Sequence, residues 1–226
     1  MKVERLPSWA ALCLASLLIA HALIAEEGHD VHLSQKVLQS AEAKYGPTAP
    51  TRLLAWTKLI ADNSKKSEAD KLKLANDFFN LIPFVSDIEH WGKQDYWATP
   101  VEMLASNGGD CEDYAIGKYF TLLALGFNMD KLRITYVKAT NRPPADQAHM
   151  VLTYFSKPDA MPLVLDNLDG EIKPANERND LVPVYSFNGD GLWLAKERSS
   201  GRATGSSSRI SLWTEMNARM GKEFSD

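Results

Sequence analysis

Cysteine is scarce in this chain: 226 residues contain two, Cys13 and Cys111. Cys13 falls in an apolar N-terminal stretch, so removal of that stretch leaves Cys111 alone and excludes an intramolecular disulfide. Long apolar runs are equally scarce. The one present, Trp9 to Ala20, is shorter than the ~20 residues of a spanning helix, and His21 interrupts it, so stable membrane insertion is not expected. Basic charge is in deficit, with 25 Lys and Arg against 29 Asp and Glu and a formal net charge of −4, which sets nucleic acid aside as a partner. No internal repeat is visible.

What is present begins with a targeting segment. Lys2 and Arg5 precede the uncharged run, and Ala20, Ala22 and Ala25 supply the small residues of a cleavage site after Ala22 or after Ala25. Residues 1–25 therefore read as a signal peptide and the protein as exported. Its removal takes away Lys2, Glu4 and Arg5, and the formal charge moves from −4 to −5. An unpaired thiol in an oxidising compartment asks for a reason, burial or catalysis.

Three helices are expected first: Leu33 to Tyr45, closed by Gly46-Pro47; Thr51 to Asp62, with Trp56, Leu59 and Ile60 on one core-facing side; and Glu68 to Leu81, closed by Pro83. A short helix over Val101 to Ala105 leads to the turn cluster Ser106-Asn107-Gly108-Gly109-Asp110. From Cys111 to Leu125 apolar residues recur at helical spacing up to Gly126, which sets Cys111 at a helix N-terminus. Strands follow over Leu132 to Ala139, Met150 to Phe155, Leu163 to Leu165, Val182 to Phe187 and Leu192 to Ala195, the last two joined by Asn188-Gly189-Asp190-Gly191. A Gly/Ser-rich stretch, Ser199 to Ser208, precedes an amphipathic helix over Ile210 to Phe224. Helices followed by an antiparallel sheet make an α+β domain.

A thiol is nucleophilic as thiolate, and a helix N-terminus favours that form while its free amides, that of Cys111 first, can hold an oxyanion. The base has four candidates beyond the leader, His29, His32, His90 and His149, of which only His149 starts a strand-like run. If Met150 to Phe155 and the next strand turn around the four-residue loop Ser156-Lys157-Pro158-Asp159, residues whose numbers add to 315 face each other. His149 then stands opposite Asp166, with Cβ atoms roughly 4.5–5.5 Å apart. The turn itself thus predicts an imidazole oriented by a carboxylate, the third member that a nucleophile and its base require. The plainer alternatives are a core histidine and a turn aspartate in Asp166-Asn167-Leu168-Asp169-Gly170.

The blocks Tyr96-Trp97-Ala98-Thr99-Pro100, Asn107-Gly108-Gly109-Asp110-Cys111-Glu112-Asp113-Tyr114-Ala115, His149-Met150-Val151 and Leu165-Asp166-Asn167 resemble the bacterial transglutaminase-like cysteine proteinases, in particular the periplasmic LapG-type adhesin proteases, over roughly residues 40–195. The resemblance implies a papain-like, transglutaminase-like core in residues 26–198, with residues 199–226 as flexible linker and tail helix. It implies Cys111, His149 and Asp166 as catalytic triad. It further implies calcium-dependent cleavage of a large surface adhesin near its N-terminus, between two alanines of a Thr-Ala-Ala-Gly-like sequence, releasing cells from a biofilm. The expected partner is the periplasmic domain of an inner-membrane receptor for cyclic di-GMP. Two rivals are a transglutaminase passing the acyl group to an amine and a non-catalytic periplasmic binding protein with the same fold.

Calcium also answers an electrostatic difficulty. Asp110, Glu112 and Asp113 crowd Cys111, and like charges oppose a thiolate, whereas a hard cation with oxygen ligands cancels them. Asp110 and Glu112 are the first choices as ligands and Asp113 the third, with backbone carbonyls or an upstream loop near Trp97 completing the shell. The alternative is capping, with Asp110 as N-cap and Asp113 at N3. Trp97 either lines the cleft or belongs to the core.

Overall fold

The computed structural model of the chain describes residues 31–140, 147–195 and 203–225. The expected signal peptide and Cys13 lie outside the described residues. Among those residues, no helix is long and apolar enough to cross a membrane.

Helix α1 (Gln35–Tyr45) starts where the Ser34 hydroxyl accepts the Val37 amide and stops at Gly46, whose φ of +89° lies in the region that favours glycine. Helix α2 (Ala49–Asn63) buries Trp56 and Ile60 as expected, with Leu53 beside them, while Leu59 is half-buried against the same core. Helix α3 (Glu68–Asn80) is capped by Ser67 in the same way as α1 and buries Leu72, Ala75 and Phe79. A single turn, α4 (Asp87–His90), and the short α5 (Pro100–Ser106) lead to α6 (Cys111–Ala124). The chain then folds into one six-stranded sheet: β1 (Leu132–Ala139), β2 (Gln147–Tyr154), β3 (Leu163–Leu165), β4 (Lys173–Pro174), β5 (Leu181–Phe187) and β6 (Leu192–Leu194), in the order β4-β3-β2-β1-β5-β6, with neighbouring strands antiparallel. The α+β class expected from the sequence is the one observed.

The core sits between α6 and the sheet. Ile116, Tyr119 and Leu122 of α6 are buried with Ile134, Leu152, Leu165 and Phe187 of the strands, and α3 backs the helix from the other side. That second contact is tight, because a Cβ on Gly117 would overlap the Phe79 ring. Trp56 satisfies its indole by donating to Thr121 Oγ1 at 2.8 Å, tying α2 to α6.

Helix α7 (Ser211–Ser225) forms where the amphipathic pattern set a tail helix, and it packs onto the domain. Trp213 and Met216 are buried, Trp213 stacks on Phe120 at 5.6 Å, and Arg219 donates to the Trp97 carbonyl at 2.5 Å. The segment before it is anchored too, since Leu192 and Gly205 bond backbone to backbone and Ser207 is buried. Residues 199–202 of the expected linker lie outside the described residues. An amphipathic pattern cannot say whether its apolar face meets this chain or another; here it meets α6 and β5.

Candidate active site

The turn before Cys111 is held from both ends. Asn107 closes α5 in the left-handed region at φ +58°. Arg52 of α2 donates to the Leu104 carbonyl at 2.6 Å and to that of Ala105, satisfying carbonyls left open by the helix end. The Val85 amide bonds Gly109 O at 3.0 Å. Cys111 is thereby delivered as the first residue of α6, as expected from the Gly-Gly-Asp-Cys turn.

Strand β2 carries His149, and Asp166 follows directly on β3. Both are buried, and His149 Nε2 donates to Asp166 Oδ1 at 2.7 Å. The expected pairing was two residues out of register. Leu152, Thr153 and Tyr154 face Leu165, Val164 and Leu163, so the paired numbers add to 317 and the loop is longer than four residues. One further step of that register would set Asp166 opposite Val151, making His149 its diagonal neighbour, within reach of long side chains. An even slip preserves the face on which each residue stands, which is why the contact survives; an odd slip would have lost it.

Asp166 accepts two further bonds, from the Leu168 amide to Oδ1 at 3.0 Å and from Arg178 Nη2 to Oδ2 at 2.7 Å. Burial pushes its carboxyl up, but the bonds from His149, Leu168 and Arg178 outweigh it and bring the group down to about 2. With Nε2 of His149 engaged, Nδ1 is the ring nitrogen left for Cys111. Both residues line one cleft of about 340 Å³ with Trp97, Tyr136, Tyr185, Ile210 and Leu212. Trp97 meets both expectations, lining this cleft while 4% exposed and stacked on Phe187. Of the other histidines, His90 is engaged with Ser106 Oγ at 2.8 Å, and His29 lies outside the described residues.

The acids around Cys111 create the expected difficulty in full. The half-buried thiol donates to Glu112 Oε2 at 3.1 Å. Burial pushes its pKa well up, and the charges of Glu112 and Asp110 push it further, against one favourable bond from the Met150 backbone. Burial likewise raises Asp110 and Glu112, and it raises Asp87 to about 6.

Asp87 and Asp95 were not read from the sequence. Asp87, Asp95 and Glu112 offer oxygens within 4.8 Å of one another, and Asp110 and Glu112 do so beside Cys111. Oδ1 of Asp87 and Oδ1 of Asp110 are buried with no hydrogen-bond partner among the described residues, as befits oxygens that face a cation. Asp113, the third choice as ligand, offers an oxygen within 4.8 Å of those of Asp87 and Asp110. Its two oxygens also accept the Ala98 amide at 2.7 Å and the Asp110 amide at 3.2 Å, the capping that sequence spacing allowed as well. No local motif marks Asp87, which lies 23 residues before Asp110 and reaches it only through the fold, its amide bonding Asp110 Oδ2 at 3.3 Å.

The family model of the bacterial transglutaminase-like cysteine proteinases matches residues 57–194. Among solved structures, LapG of Legionella pneumophila is 40% identical with a TM-score of 0.71, covering 84% of this chain and 99% of its own. Its calcium-bound form is 41% identical, with a TM-score of 0.69 over 82% and 98% of the two chains, and its EGTA-treated form is 41% identical, with a TM-score of 0.73 over 84% and 99%. A search of curated proteins returns no match. A cysteine on a helix N-terminus, sharing a cleft with a histidine that a buried carboxylate holds, thus stands in a chain with this likeness, and the chain belongs to the bacterial transglutaminase-like cysteine proteinases and is a cysteine protease.

Proposed function

We propose that this protease is a periplasmic, calcium-dependent endopeptidase of the LapG type, in which Cys111 is the nucleophile, His149 the general base and acid, and Asp166 the group that orients His149. The observation that carries it is the 2.7 Å bond from His149 Nε2 to the buried Asp166, which leaves Nδ1 as the ring nitrogen available to Cys111, a residue lining the same cleft. His149 takes the thiol proton, and the Cys111 sulfur adds to the peptide carbonyl carbon. The α6 N-terminus, with the Cys111 amide foremost, faces the oxygen as it gains charge. His149 then gives the proton to the departing amine, leaving an acyl-enzyme. A water deprotonated by His149 releases the acid and restores the thiol.

Asp87, Asp110 and Glu112, with Asp95 at the rim, are the residues that fit a calcium ion, and the calcium-bound Legionella structure supports reading them so. The ion supplies positive charge that offsets the carboxylates beside the thiol.

The substrate we propose is the N-terminal region of a large surface adhesin, cut between two alanines to release cells from a biofilm. The controlling partner is the periplasmic domain of a cyclic di-GMP receptor. Support comes from the shared motif blocks and from 40% identity over nearly all of the Legionella chain. The test is incubation of the protein with an adhesin N-terminal fragment, in calcium or in EGTA, with and without a primary amine. Cleavage in calcium, lost in EGTA and in Cys111→Ala, is expected. Cleavage near the wild-type rate by Cys111→Ala would remove the nucleophile assignment; cleavage indifferent to EGTA would remove the calcium dependence.

A further inference from the structure

Arg178 is 4% exposed, on the turn after β4, yet the chemistry above gives it no part. Its Nε and Nη2 form a fork onto Asp180 Oδ1 and Oδ2, both at 2.9 Å, and the same Nη2 bonds Asp166 Oδ2 at 2.7 Å. The two oxygens of Asp166 are therefore divided. Oδ2 is held by Arg178, and Oδ1 is turned to His149 Nε2 and the Leu168 amide. A carboxylate free to rotate about its Cβ–Cγ bond would present either oxygen at varying angles to the ring. Here a planar guanidinium, itself fixed by a second carboxylate, removes that freedom.

We propose that Arg178 is a positioning residue of the protease: anchored on Asp180, it locks the Asp166 carboxylate so that His149 keeps its proton on Nε2 and presents Nδ1 to Cys111. The inference rests on the triad reading and deepens it. Lys118, buried on α6, is a second cation whose charge bears on Asp166, but no hydrogen bond between the two is found among the described residues, so it sets no orientation. The ordering matters because a displacement of about 1 Å at a reacting group lowers rates by on the order of 10²-fold.

The test reads the ring directly. In protein labelled with 15N-histidine, a hydrogen-bonded Nε2 proton should appear as a protected downfield signal, assigned to His149 by its loss in His149→Gln. In Arg178→Gln this signal should broaden or vanish, and kcat on the adhesin fragment should fall on the order of 10²-fold with KM nearly unchanged. Arg178→Lys keeps the charge and should recover part of both. Asp180→Asn withdraws the anchor without stranding a buried charge and should give a smaller loss of the same kind; it carries the test if Arg178→Gln does not fold. A kcat that falls while the His149 signal stays unchanged overturns the positioning role, as does no change in either. If wild-type protein fails to cut the fragment, the substrate reading falls, while the ring signal still decides the role of Arg178.

Discussion

The Cys111 thiol gives its hydrogen bond to Glu112 Oε2, 3.1 Å away and one residue along the chain. Neighbouring carboxylates that favour the protonated thiol should make the metal-free protein slow to alkylate. Iodoacetamide labelling of Cys111 is expected to be slow in EGTA and on the order of tenfold faster in calcium. In Glu112→Gln the EGTA rate should exceed that of wild type, and calcium should add little. Equal wild-type rates in EGTA and calcium would show that the cation does not act on the nucleophile.

Asp87 reaches this cluster from α4, and its Oδ1 has no hydrogen-bond partner among the described residues. Asp87→Asn keeps an acceptor for the Tyr96 amide, which bonds Oδ2 at 2.5 Å, but gives up a charged ligand. Calcium affinity measured by titration calorimetry should drop by about tenfold or more, since affinity at oxygen sites follows the count of charged ligands. Asp113→Asn should disturb helix stability more than affinity, because that side chain caps α6. The reverse ranking would exchange their roles.

Gly117 lets α6 approach Phe79 of α3. Alanine there gains about 1 kcal/mol in helix propensity, but overpacking costs about 1–3 kcal/mol, so Gly117→Ala should lower the melting temperature. Adding Phe79→Leu should restore part of the loss relative to Phe79→Leu alone. A Gly117→Ala protein as stable as wild type would mean that the two helices can separate without loss.

Glu223 of α7 accepts from Thr99 Oγ1 at 2.8 Å, while its other oxygen is buried without a hydrogen-bond partner among the described residues. Burial raises its carboxyl to about 7. Its folded value thus lies above the unfolded ~4.3, so the native state holds the proton more tightly, and stability falls as pH rises from about 4 towards 7. Glu223→Gln should stabilise the protein at pH 8 by on the order of 1 kcal/mol and change little at pH 4. A gain of equal size at both values would point to a cause other than the charge.

Much of this was legible in the chain. Helical spacing located α1, α2, α3, α6 and α7 to within a few residues, and the Asn188–Gly191 turn placed β5 against β6. The short α4 and two-residue β4 were missed, having too few residues to show a period. For His149 and Asp166 the loop length was misjudged by an even number, which preserved the face and hence the contact.

By itself, then, the sequence determined what is local. The thiol at a helix start, the crowding of acids beside it and the alternation of the strands all depend on neighbours within a few residues. Tertiary structure alone decided which distant groups complete the site. Asp87 joins Asp110 across 23 residues, Arg178 takes the far oxygen of Asp166, and Ile210 and Leu212 return to wall the cleft. No period or spacing encodes such encounters, because they follow from how the packed helices and the sheet bring remote segments together.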